Sequence, residues 1–164
     1  MKAMVIYDSQ YGNTARIAEA VGRGLADGAP AHAEVQVVHV VAARAQDSAG
    51  SDILVVGSPT QKFRPTAPIK QLLKGLPKNA LRGVKVAAFD TRLTEEEINS
   101  HGVLTKFVDV FGYAAQPIAD GLAKKGGQEA APPAGFYVAN SEGPLVDGEW
   151  ERAEAWGRQI VAQV

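Results

Sequence analysis

Residues 5–14 read VIYDSQYGNT. The run Ala3-Met4-Val5-Ile6-Tyr7 is apolar, with the length and residue types of a buried strand. It breaks at Asp8 into Ser9-Gln10-Tyr11-Gly12-Asn13-Thr14, and Ile17, Ala18, Val21 and Leu25 then fall on one face of a helix. Strand, short polar loop and helix aim the first, unpaired amides of the helix at whatever occupies the loop, and the positive end of the helix dipole suits a phosphate there. Ser9 and Thr14 offer hydroxyls, Asn13 an amide or a cap, and Gly12 a backbone free to take positive φ. No Lys or Arg lies between Asp8 and Ala15, so any phosphate is met by neutral donors and the dipole. Neither the lysine of a P-loop nor the three spaced glycines of a dinucleotide fingerprint is present. The plainer reading is a strand-to-helix turn with an Asn cap.

Outward from this stretch, strands and helices alternate. Asp27-Gly28-Ala29-Pro30 ends the first helix, and the valine-rich Glu34–Val41 reads as the second strand. A short helical piece over Ala42–Gln46 and a turn over Ser48–Ser51 lead to a third strand, Asp52–Gly57. Its unbroken apolar run predicts a strand covered on both faces. Pro65–Gly75 reads as a helix with Ile69, Leu72 and Leu73 inward. Val84–Asp90 is a fourth strand, Thr94 opens a capping pattern with three glutamates, and a long helix is predicted from Asn99 to Ala123. Gly126–Ala131 and Gly135–Asn140 read as two pieces of a fifth strand interrupted by Pro132-Pro133, and Asp147–Val164 as a closing helix. This alternation predicts an α/β fold, a doubly wound parallel sheet with helices on both faces, over residues 1–164 as a single domain.

Bulk properties narrow the function. The chain has 164 residues, 46% of them hydrophobic and 21% charged, ordinary for a globular protein with a full core. There is no cysteine, which removes thiol catalysis, disulfides and Cys-ligated metal sites, and His32, His39 and His101 make no spaced metal motif. The N-terminal residues enter a strand directly, and no apolar run reaches membrane-span length, so a cytoplasmic location without a membrane span is expected. The net charge of −1 argues against nucleic-acid binding. The charge is uneven: residues 1–82 hold ten basic and six acidic side chains, residues 83–164 seven and twelve. Between Gln61 and Phe89 lie Lys62, Arg64, Lys70, Lys74, Lys78, Arg82 and Lys85 and no acid, either a solvated face or a docking patch for an anionic partner.

In doubly wound sheets, ligands bind beyond the carboxyl ends of the strands, where the strand order reverses. The loops expected there are DSQYGNT, GSPTQKF and DTRL, all rich in hydroxyls, glycine and polar side chains. Ser-Gln-Tyr-Gly-Asn-Thr resembles the phosphate loop of the flavodoxin family, with Tyr11 in place of the usual Thr. Gly57-Ser58-Pro59-Thr60 is similar to the family's flavin-contacting loop, and Phe89-Asp90-Thr91-Arg92 to its later flavin loop. The C-terminal GPLVDGEWERAEAWGRQI resembles the final turn and helix of several members.

The resemblance implies a five-stranded sheet of order 2-1-3-4-5, the order for which flavodoxin is itself the standard example. It implies FMN bound by Ser9, Gln10, Tyr11, Gly12, Asn13 and Thr14 at the phosphate. The ring would lie between Ser58, Pro59, Thr60, Gln61, Lys62 and Phe63 on one side and Asp90, Thr91 and Arg92 on the other. Gly57 would let the backbone approach the flavin. Many flavodoxins clamp the ring between a Trp and a Tyr. Here Phe63 is the one aromatic between Gly57 and Phe89, as a stacker or a packing residue, and Trp150 and Trp156 are expected to pack. The implied function is electron transfer with a redox partner protein near the flavin edge. The alternatives are an FMN-dependent NAD(P)H:quinone or protoporphyrinogen-type oxidoreductase and a non-enzymatic flavin-binding regulatory module. A phospho-receiver domain needs an acceptor Asp at the end of strand three, where Gly57-Ser58 stands. A serine hydrolase needs a Gly-x-Ser-x-Gly elbow, which is absent.

Overall fold

In the computed structural model, which describes residues 1–44, 46, 48, 50–100 and 113–164, parallel strands lie between two layers of helices. The elements run β1 (Lys2–Tyr7), α1 (Asn13–Gly28), β2 (Glu34–His39), β3 (Ile53–Pro59), α2 (Ala67–Gly75) and β4 (Lys85–Leu93). They continue through α3 (Glu95–Ser100), α4 (Ala115–Lys124), β5 (Gln128–Glu129) and β6 (Ala134–Val138) to α5 (Glu149–Val161). The sheet order is β2-β1-β3-β4-β5, with β6 also on β4.

The fifth position of the sheet is filled by two short strands, as the Pro132-Pro133 break predicts. β5 pairs Gln128 and Glu129 with Lys85 and Val86. β6 pairs Ala134–Val138 with Phe89–Leu93. The prolines between them have no N–H to give to a ladder.

Alternation along each strand divides the core in two. Ala3, Val5, Ile53, Val55, Ala87, Phe89 and Phe136 face α1 and α5, where Ile17, Val21, Leu25, Trp156 and Ile160 meet them. Met4, Ile6, Leu54, Val56, Val86 and Ala88 face α2 and α4, against Ile69, Leu73, Ile118 and Leu122. Phe89, Phe136 and Trp156 form an edge-to-face triangle with centroids 6.0–6.2 Å apart. Trp156 is therefore a core residue, and Trp150 lies half-buried beneath the Arg23 guanidinium with its indole N–H on Glu154.

Four expectations about elements are corrected. β4 runs on through Thr91, Arg92 and Leu93, expected as a loop, because β3 pairs with it as far as Thr91 and β6 continues the ladder to Leu93. The segment after β2 turns at once, with Ala42 and Ala43 N–H donating to the carbonyls of His39 and Val40, and no helix starts at Ala42. Helical backbone appears at Gln46, the last residue of the expected piece, and also at Ser48, expected as a turn. The helix predicted over 99–123 is not continuous: Tyr113 and Ala114 lie outside helix and α4 starts at Ala115, while residues 101–112 lie outside the described residues. At that start, Ala114 N–H donates to Thr60 Oγ1 at 3.1 Å and Ala115 N–H to Asp90 Oδ2 at 2.8 Å. Distant strand ends thus cap the new helix. The capping pattern at Thr94 forms as expected, with Glu97 N–H donating to Thr94 Oγ1 at 3.2 Å. No helix among the described residues is long and apolar enough to cross a membrane.

Candidate functional site

The carboxyl ends of β1, β3 and β4 converge, and residues 8–14 close on themselves there. Ser9 Oγ accepts the N–H of Gly12 at 3.1 Å and of Ala15 at 3.3 Å. Gly12 caps α1 at φ 88°, a left-handed conformation that costs a β-carbon residue strain. Having no side chain, it supplies no acceptor to the first turn, where Ser9 Oγ takes the Ala15 N–H. Asn13, the first helical residue, donates from Nδ2 to the Glu142 carbonyl at 2.9 Å, so its side chain ties the loop to the turn before α5 rather than capping α1. Gln10 Oε1 accepts from Gln61 Nε2 at 2.5 Å, joining the first loop to the segment after β3.

Two cavities adjoin this convergence. One, of about 260 Å³, is lined by Gln10, Tyr11, Asn13, Thr14, Pro59, Thr60, Gln61, Thr91 and Arg92, together with Leu93, Val138 and Ser141. The second, of about 310 Å³, is lined by Thr60, Lys62, Phe63, Arg92, Leu93, Ile98 and Tyr113 and is mostly apolar. Thr60, Arg92 and Leu93 border both. Tyr11 is exposed at the rim of the first.

The wall between the loops is polar and tightly bonded. Thr14 and Thr91, both buried, place their Oγ1 atoms 2.8 Å apart. Asp90 is fully buried and takes Arg92 in a two-point pair, Nε to Oδ1 at 2.6 Å and Nη2 to Oδ2 at 2.8 Å. The Arg92 guanidinium lies 3.7 Å from the centroid of the Tyr113 ring. Burial pushes the Asp90 carboxyl above the usual carboxylate range, against the pull of Arg92, the Ala115 N–H and Thr60.

The turn after β3 carries backbone strain. Gln61 and Arg64 exchange N–H···O bonds of 2.9 Å in both directions, and the two residues between them, Lys62 and Phe63, sit at φ 47° and 64°. That is the geometry of a two-residue hairpin turn normally given to Asn-Gly, here held by side chains that both line the apolar cavity.

Of the residues predicted from sequence, Gln10, Tyr11, Asn13, Thr14, Pro59, Thr60, Gln61, Lys62, Phe63, Thr91 and Arg92 line these cavities. Ser9 and Gly12 shape the loop behind them. Ser58 is fully buried, its Oγ accepting Thr66 N–H at 3.0 Å and donating to the Pro59 carbonyl at 2.9 Å, so it fastens β3 to the start of α2. Asp90 lies behind the wall, holding Arg92 and α4. At Gly57 a β-carbon would stand 2.0 Å from Phe89 Cζ, so the glycine makes room for the core ring. Leu93, in the expected DTRL loop, lines both cavities, and Ile98, Tyr113, Val138 and Ser141 line them without having been predicted.

The sequence matches the flavodoxin family over residues 5–132. Flavodoxin 1 from Bacillus cereus superposes with a TM-score of 0.78 at 16% identity, over 100% of this chain and 99% of that one. A flavodoxin from the domain Archaea gives 0.74 at 21% identity, over 99% and 97%. The rubredoxin oxygen:oxidoreductase of Desulfovibrio gigas gives 0.73 at 16% identity, covering 98% of this chain and 35% of that larger one. These likenesses show a shared fold. No curated protein matches the chain significantly. With more than three quarters of its length matched by the family, the chain belongs to the flavodoxin family, whose cofactor is FMN.

Proposed function

We propose that the protein is an electron carrier that binds one FMN non-covalently in the two joined cavities. The cavity at the head of α1 suits the phosphate and ribityl chain, because most of the residues lining it, Gln10, Asn13, Thr14, Thr60, Gln61 and Thr91 among them, carry hydroxyls or amides. The apolar cavity suits the ring, between the strained Lys62–Phe63 turn and the segment from Leu93 to Ile98. FMN supplies the redox chemistry when bound, and the chain supplies position, exclusion of water and local charge.

The observation that carries this reading is the composition of the two linings. Among the described residues they hold no carboxylate and no histidine, and the cations are Lys62 and Arg92, the second already paired with Asp90. A carrier needs no acid, base or nucleophile at its cofactor, whereas a reductase must seat and orient a second substrate.

Stopped-flow measurement on the purified, FMN-loaded protein tests this. NADH and NADPH should reduce it no faster than they reduce free FMN, while a separate flavin or iron–sulfur reductase should reduce it readily. Saturable NAD(P)H:quinone turnover by the protein alone contradicts the carrier reading.

A further inference from the structure

We propose that the outer face of α2, with the adjoining turn and the end of α4, is the docking surface for an acidic electron-transfer protein. The inference rests on the carrier reading above and specifies the partner's chemistry.

Lys62, Arg64, Lys70, Lys74, Lys78 and Arg82 are all exposed, and none pairs with a carboxylate among the described residues. Lys70 and Lys74 stand one turn apart on α2, opposite the buried Ile69 and Leu73. Lys125 at the end of α4 reaches the carbonyls of Lys74 and Leu76, and Lys124 is exposed beside it. The one carboxylate on α4, Asp120, accepts from Gln116 at 2.9 Å. A band of positive charge therefore starts at the mouth of the apolar cavity, where Lys62 lines it, and runs the length of α2 to the far end of the sheet. Such a band steers an oppositely charged partner and orients it with the cavity edge toward its own redox centre.

Glu95, Glu96 and Glu97 stand in the first turn of α3, between the cavity-lining residues Leu93 and Ile98. A long polyanion laid along α2 toward the cavity would run into these like charges. The exposed large apolar side chains among the described residues are Tyr11, Val41 and Val164, so this face offers no stacking platform for bases. A folded partner whose acidic patch ends near its redox centre meets the basic band and avoids these glutamates.

The test uses an immobilised acidic [2Fe–2S] ferredoxin as probe and the full chain as analyte, with and without FMN. At about 20 mM salt the parent should bind, and its affinity should fall about tenfold or more by about 300 mM. The variant K70E/K74E/K78E, altered far from the cofactor cavities, should lose at least about tenfold at low salt while its FMN affinity, titrated separately, stays that of the parent. Absence of low-salt binding by the parent, undiminished binding by the variant, or equal or tighter binding of the parent to a 30-base-pair duplex DNA would each overturn the proposal. Binding is read with FMN absent as well as present, so failure of the parent to take up FMN would count against the cofactor assignment and leave the docking result to be judged separately.

Discussion

Thr14 and Thr91 lie 77 residues apart in sequence, yet their buried hydroxyl oxygens are 2.8 Å apart. One sits in the first turn of α1 and the other in β4, so this bond fastens the start of α1 to the strand that lines both cavities. Removing either hydroxyl leaves the other buried without its partner, at about 1–3 kcal/mol. In a double-mutant cycle with Thr14→Ala and Thr91→Val, measured by urea unfolding, each single variant should lose stability. The double variant should lose clearly less than their sum, a coupling of about 0.5–1.5 kcal/mol. Additive losses would show that the two hydroxyls act independently.

Gly57 and Phe89 make a tighter pairing. A β-carbon on Gly57 would meet three atoms of the Phe89 ring at 2.0–2.5 Å, and that ring is locked against Phe136 and Trp156. Gly57→Ala should therefore cost about 1–3 kcal/mol by overpacking. Phe89→Leu in the same chain should recover part of the loss. A Gly57→Ala protein with the parent's melting temperature would mean that the ring shifts freely.

The pH dependence follows from Asp90. Its carboxyl in the folded protein lies above the ordinary range, burial being the largest cause. A raised carboxyl favours the protonated folded form, so its contribution is fully present below the unfolded value of about 3.9 and is lost as pH rises through the folded value. The stability of D90N relative to the parent should accordingly increase with pH across that window, in urea unfolding at a series of pH values from about 4 upward. A relative stability that falls with pH would reverse the sign assigned to Asp90.

The pattern of elements was legible because it rests on local signals. The apolar runs of β1 and β3, the periodic face of α1 and the Pro132-Pro133 break each carry their meaning within a few residues. The turn from β1 into α1 was legible for the same reason, since strand, polar loop and helix are consecutive. What escaped depends on partners far away in sequence. Val138, Ser141 and Tyr113 reach the cavities only because β6 pairs with the end of β4 and α4 starts against Thr60 and Asp90. Thr91 and Arg92 read as a loop, yet pairing with β6, and for Thr91 with β3 as well, makes them strand. Ser58 and Asp90 have residue types that suit a cofactor, but their polar atoms are taken up in fastening α2 and α4. A helix capped by side chains 54 and 25 residues away leaves no mark in its own sequence.

The central claim is that residues Ser9–Thr14 hold a phosphate, and comparison of FMN with riboflavin tests it most directly. The two flavins share the ring and ribityl chain and differ in that phosphate. Titration of the cofactor-free protein by quenching of flavin fluorescence should give an affinity for FMN at least about a hundredfold above that for riboflavin, roughly 2.7 kcal/mol. Equal affinity for the two, or no binding of either, would contradict the assignment.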